Sequence, residues 1–200
     1  MKRAPFISLD GLDGAGKSTQ CRLLADWLRT RGFDVVQCVD PGGTPIGDVL
    51  RKLLLEHRGH MTLQCEALLF MASRAQLVAE VIRPALDSGK AVICDRFLLA
   101  NVVYQGHAGG LDPQKLWDLG LLATGGLEPD ATFVLDLPLE VAQARRKENA
   151  DRMERRDAAY FAKVRDGFLA EARRRPERIR VVDAMLSPEA VQGALRTALA

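Results

Sequence analysis

The sequence predicts an α/β fold in which a parallel sheet is flanked by helices, and three observations predict it. Short runs rich in β-branched residues alternate with longer runs of helical periodicity along the whole chain. The first of those runs opens directly onto a glycine-rich loop and then a helix. No repeat, low-complexity tract or linker interrupts the alternation, so residues 1–200 read as one domain.

The strand candidates are Pro5 to Leu9, Val35 to Val39, Ala91 to Cys94, Ala131 to Leu135 and Ile179 to Val182. As a central five-stranded parallel sheet between helices they make a three-layer arrangement. Lys17 to Arg31 sets Cys21, Leu24 and Leu28 on one helical face, and Gly32 is the expected stop. Ile46 to Glu56 is the next helix. Leu63 to Leu86 reads as one long helix with Leu68, Met71, Ala75, Val78 and Ile82 as its apolar stripe, broken or kinked near Pro84. Further helices are expected at Pro113 to Ala123, Leu139 to Lys147, Asp157 to Arg174 and Pro188 to Leu199.

Composition narrows the class. Two hundred residues, 48% of them apolar, suffice for a core without disulfides or metal. The longest apolar stretches fall short of the ~20 residues that span a bilayer, and MKRAPFISLD reaches an acid too early for a signal peptide, so a cytoplasmic protein with no membrane partner is expected. Cys21, Cys38, Cys65 and Cys94 form no CxxC pair and read as reduced, mostly core residues. With 28 basic against 26 acidic side chains, the chain lacks the charge of a nucleic-acid binder. The positive excess is local: Arg145 to Arg156 holds six basic and three acidic residues.

Gly11-Leu12-Asp13-Gly14-Ala15-Gly16-Lys17-Ser18, followed by Thr19, satisfies the GxxxxGK[ST] pattern of P-loop NTPases. Glycines let backbone amides curl around a polyphosphate, and the helix N-terminus adds positive potential. Lys17 is then expected to reach the β- and γ-phosphates of ATP, and the Ser18 hydroxyl to ligate Mg²⁺. Asp95, at the end of the third strand, is the expected second metal-directed residue; taken without the loop, it reads equally as a cap for the next helix.

Four further motifs follow in order: Asp40-Pro41-Gly42-Gly43-Thr44, Leu69-Phe70-Met71-Ala72-Ser73-Arg74-Ala75-Gln76, Asp95-Arg96-Phe97 leading to Tyr104-Gln105-Gly106, and Asp151-Arg152-Met153-Glu154. With the phosphate loop, and from the first strand to about Phe168, the chain resembles the thymidylate kinases of the nucleoside monophosphate kinase group. The resemblance implies a kinase fold with a small lid at about residues 145–156, a homodimer, and transfer of the γ-phosphate of MgATP to dTMP. A kinase for another pyrimidine monophosphate such as dUMP, or a non-kinase P-loop ATPase, is the alternative.

Phe70 and Arg74, four residues apart, share a helix face and set an aromatic plane beside a five-donor cation. The resemblance gives Phe70 to thymine stacking and Arg74 to nucleotide contact; the plainer readings are a core phenylalanine and a solvated arginine. By the same resemblance Arg96 binds the acceptor phosphate and acts in catalysis, Asn101 and Gln105 read the pyrimidine edge, Tyr104 crowds the sugar 2′ position, and Asp13 contacts the 3′-hydroxyl. Gly14 stands where some relatives carry a loop arginine, so catalytic arginines are expected from the lid, Arg145 and Arg152 first, with Arg146, Lys147 and Arg155 in reserve. Val39, Ala100 and Gly109 depart from the family pattern. An already ionised phosphate needs no general base, so His57, His60 and His107 are given no catalytic role and read as surface or loop residues.

Overall fold

A computed structural model describes residues 3–145, 152–153 and 156–199. Among these, five strands form one parallel sheet: β1 (Phe6–Gly11), β2 (Val35–Val39), β3 (Ala91–Asp95), β4 (Ala131–Asp136) and β5 (Ile179–Asp183), in the order β2-β3-β1-β4-β5. Strands β1, β3 and β4 are central and almost wholly buried, whereas the edge strands β2 and β5 are part exposed. Near-continuous apolar runs belong in such doubly covered positions. The C-terminal ends of β1 and β3, where the site lies, are therefore neighbours.

The helices are α1 (Lys17–Thr30), α2 (Pro45–Glu56), α3 (Leu63–Leu77), α4 (Arg83–Asp87), α5 (Leu98–Asn101), α6 (Pro113–Thr124), α7 (Leu139–Ala144), α8 (Ala158–Arg174) and α9 (Pro188–Leu199). Local chemistry starts them. Thr44 accepts from the Gly47 amide, Thr62 from that of Cys65, and Asp157 from that of Tyr160, each satisfying a first-turn donor. α1 and α9 pack together, while α8 and α6 enclose the segment after α5. No helix among the described residues is long and apolar enough to cross a membrane.

The helix expected over Leu63 to Leu86 is interrupted. A π-helical turn at Val78–Ile82 separates α3 from α4. Pro84 has no N–H to give residue 80, and its ring would press on that residue's carbonyl; the wider turn relieves both. Of the expected apolar stripe, Met71, Val78 and Ile82 are buried, but Leu68 is 53% exposed. A second π-helical stretch, Val102–Ala108, continues α5 and carries Tyr104 and Gln105. Only Cys21 and Cys94 of the four free cysteines are buried; Cys65 is exposed. His107 is no loop residue: it sits in the second π stretch against Glu171, 2.8 Å away.

Candidate active site

A cavity of about 700 Å³ opens at the C-terminal edge of the sheet, and the phosphate loop forms one end of it. Gly14 has φ of 90°, and a Cβ there would come within 2.4 Å of the Ala142 carbonyl oxygen on α7, so no side chain fits. That packing excludes an arginine inside the loop. Lys17 is buried and donates to the Leu12 carbonyl at 2.9 Å, with the Gly11 carbonyl and Asp13 Oδ1 at 3.3 Å. The Ser18 hydroxyl donates to Asp95 Oδ2 at 2.7 Å, so the two expected metal-directed residues meet.

Arg96 joins the loop to the rest of the cavity. It adopts φ of 67°, the left-handed region that few side chains tolerate, and its backbone N–H donates to the Leu9 carbonyl. Its Nη2 donates to Asp13 Oδ1 at 2.7 Å and to the Tyr104 hydroxyl at 3.2 Å, and the guanidinium lies 5.1 Å from the Tyr104 ring centre. Nη1 is buried and has no partner among the described residues. Burial opposes ionisation of Asp13, but Arg96 and Lys17 outweigh it and hold the carboxyl below the usual range. The loop is thus a charge-balanced cluster.

Asp10, at the end of β1, is the exception. It is wholly buried, and neither carboxylate oxygen has a partner among the described residues. Burial pushes its pKa from 3.8 to about 7, against the pull of Arg96 and Lys17. The folded state therefore holds the proton more tightly than the unfolded state, and this stability is present below pH 3.8 and lost as pH rises through 7. Asp10→Asn, which cannot ionise, should gain on the parent as pH rises from 4 to 8, by up to about 4 kcal/mol. Urea unfolding at several pH values checks this; a gap independent of pH would refute it.

The opposite wall is built on α3 and the second π stretch. Arg74, 1% exposed, is no solvated arginine. Its Nε donates to Asp40 Oδ2 at 2.6 Å and Nη1 to Asn101 Oδ1 at 3.1 Å, and it lies 5.6 Å from the Phe97 ring centre. Asn101 Nδ2 donates to Gln105 Oε1 at 2.8 Å, and Gln105 Nε2 to Glu66 Oε1 at 2.8 Å. Phe70, half-buried, Arg74, Asn101, Tyr104 and Gln105 all line the cavity. Tyr104 is buried and packs edge-on against Tyr160 and Phe168.

Two polar side chains bearing on the cavity were not read from the sequence: Arg51 lines it, and Glu66 does not but bonds to Gln105, which does. Arg51 of α2 donates to the Pro41 carbonyl at 2.6 Å and brings a guanidinium to the wall where Val39 stands. Glu66, buried, closes the amide chain. Arg51's signal was its place on the helix following Asp40–Thr44; Glu66 carries none. Of the expected lid arginines, Arg145 lines the cavity and donates to the Ala184 carbonyl at 3.3 Å. Arg152 is instead engaged with the Leu54 carbonyl at 2.7 Å and Glu66 Oε2 at 2.6 Å. Arg146, Lys147, Asp151, Glu154 and Arg155 lie outside the described residues.

A five-stranded parallel sheet with order β2-β3-β1-β4-β5, a phosphate loop after β1 and an aromatic and polar wall across the same cavity define a P-loop kinase of the nucleoside monophosphate type. The thymidylate kinase family model matches residues 9–195, and the chain belongs to that family. It is 51% identical to the thymidylate kinase of Symbiobacterium thermophilum over 194 residues, 96% of this chain and 90% of that protein. The thymidylate kinase of Rhodopirellula baltica is 50% identical, over 90% of this chain and 73% of its own length. The crystal structure of thymidylate kinase from Ehrlichia chaffeensis superposes with a TM-score of 0.81 at 31% identity, covering 98% and 99% of the two chains.

Proposed function

We propose that the chain transfers the γ-phosphate of ATP to dTMP, giving dTDP and ADP. The observation that carries this reading is one cavity with a phosphate loop at one end and an aromatic, arginine and amide wall at the other, linked by Arg96. In-line transfer needs alignment and charge neutralisation more than covalent help. Residues Gly11 to Thr19 cradle the ATP phosphates, Lys17 draws on them, and Arg96 with Arg51 grips the acceptor phosphate. Ser18 and Asp95 offer the hard oxygen donors that suit Mg²⁺, and would hold it beside the loop. When bound, the ion neutralises phosphate charge.

Phe70 stacks on the acceptor base, Asn101 and Gln105 face its edge, Tyr104 crowds the sugar, and Asp13 takes the 3′-hydroxyl. The segment at about 145–156 acts as a lid. Arg145, at the cavity wall, is the leading cation for the moving phosphoryl group, whereas Arg152 is held away from it by Glu66 and the Leu54 carbonyl. A homodimer is supported by the exposed apolar Ile46, Val49 and Leu53 on one face of α2, and by exposed Leu68 on α3, which packs on α2.

ADP release should be measured with MgATP and dTMP, dUMP, UMP, dCMP or dGMP, with water and single-stranded DNA as controls. dTMP is expected to give the highest rate. A rate with dTMP no greater than with water, while another acceptor turns over, would overturn the substrate. Light scattering on the same preparation should give the mass of two chains; a single-chain mass at assay concentration removes the dimer.

A further inference from the structure

The amide chain along the acceptor wall has a fixed direction. Arg74 has only donors, so Asn101 must turn its oxygen toward it, as the 3.1 Å contact from Nη1 to Oδ1 records. The Asn101 nitrogen then faces Gln105, which must present its oxygen, at 2.8 Å. The Gln105 nitrogen is left to find an acceptor, and Glu66 Oε1 is that acceptor, at 2.8 Å. A cation at one end and a carboxylate at the other hold both amides in one orientation. Neither can flip without setting donor against donor or acceptor against acceptor.

Glu66 does this while gripped from its other side. Oε2 accepts from Arg152 Nη2 at 2.6 Å, with Arg156 Nη2 at 3.7 Å, and the side chain is 1% exposed. Only a carboxylate accepts on both sides. A glutamine of the same shape has one oxygen: turned toward Arg152, it sets its NH₂ against that of Gln105.

The orientation matters because the pyrimidines differ in sense at the edge these amides border. Uracil and thymine offer an N3–H donor beside an O4 acceptor, whereas cytosine offers an N3 acceptor beside an N4–H₂ donor. A wall of fixed sense fits one edge and opposes the other. We propose that Glu66 is a positioning residue that sets the hydrogen-bonding sense of Asn101 and Gln105, and so the preference for a 4-oxo over a 4-amino pyrimidine. The proposal rests on the reading of this wall as the acceptor-base site.

The test compares ratios of kcat/KM within each enzyme, which cancel any common loss of rate. The dUMP-to-dCMP ratio reads the N3 and 4-position edge, and the dTMP-to-dUMP ratio reads the 5-methyl alone. Glu66→Gln should lower the first at least about tenfold and leave the second within about twofold. A first ratio unchanged, or both ratios falling together as in a merely loosened pocket, overturns the proposal. Adding Arg152→Met to Glu66→Gln frees the glutamine oxygen for Gln105 and should restore most of the first ratio; persistence of the full loss overturns it.

Arg152→Met alone leaves Glu66 paired with Gln105 and carries the test if the glutamine variants do not fold. It should hold the first ratio within about twofold, and a tenfold fall overturns the proposal. If the parent enzyme uses neither dTMP nor dUMP above the water control, the proposed function fails, and that result is separate from any variant.

Discussion

Lys17→Ala should reduce turnover at least about a hundredfold with every nucleotide acceptor, since a cation aimed at developing phosphoryl charge contributes on that scale. Lys17 is buried beside the loop, and its ammonium lies against the Gly11 and Leu12 carbonyls and the Asp13 carboxylate. Burial, and then the repulsion of Arg96, lower its pKa, while Asp13 and Asp95 pull it back up. An ammonium held under those opposing pressures gains from an incoming phosphate. Phe70→Ala is the contrast: truncating a wall residue should raise KM for the acceptor and leave KM for ATP near the parent value. Steady-state kinetics with both substrates varied makes the comparison. Equal, mild effects of the two changes would refute this division of the cavity.

Arg74→Met should be the most destabilising single change in the acceptor wall. It strands Asp40, whose Oδ2 lies 2.6 Å from Arg74 Nε and whose Oδ1 has no partner among the described residues. Both side chains are essentially out of solvent. Burial raises the Asp40 pKa even with the guanidinium present. Removing one partner of such a pair costs about 3–5 kcal/mol, most of it the uncompensated carboxylate. Arg74→Met/Asp40→Leu removes both charges and should recover much of the loss in urea unfolding while acceptor use stays poor. If the double variant is no more stable than the single one, the pair is not what holds the wall.

What could be read ahead of the structure follows from distance along the chain. The phosphate loop was legible because strand, glycine spacing, lysine and helix are contiguous, and all its chemistry lies within Gly11 to Thr19. The sheet was legible because strands buried on both faces show as apolar runs. The Arg74–Asp40 pair was not, since its partners lie 34 residues apart and only folding makes them neighbours. Leu68 shows the limit of periodicity: its spacing matches Met71 and Ala75, yet it is 53% exposed. The π-helical stretch at Val102–Ala108 has no proline or glycine at its start to announce it. Glu66 was one acid among 26, and nothing local separates it from a solvated one.

The left-handed turn at Arg96 has a mechanical consequence. Its backbone amide is tied to Leu9 on β1, and β1 runs without a break into the glycine-rich loop. Arg96 and the glycine-rich loop are thereby bolted to adjacent slats of one rigid frame. For the transfer proposed above, the gap between donor and recipient is then set when the chain folds.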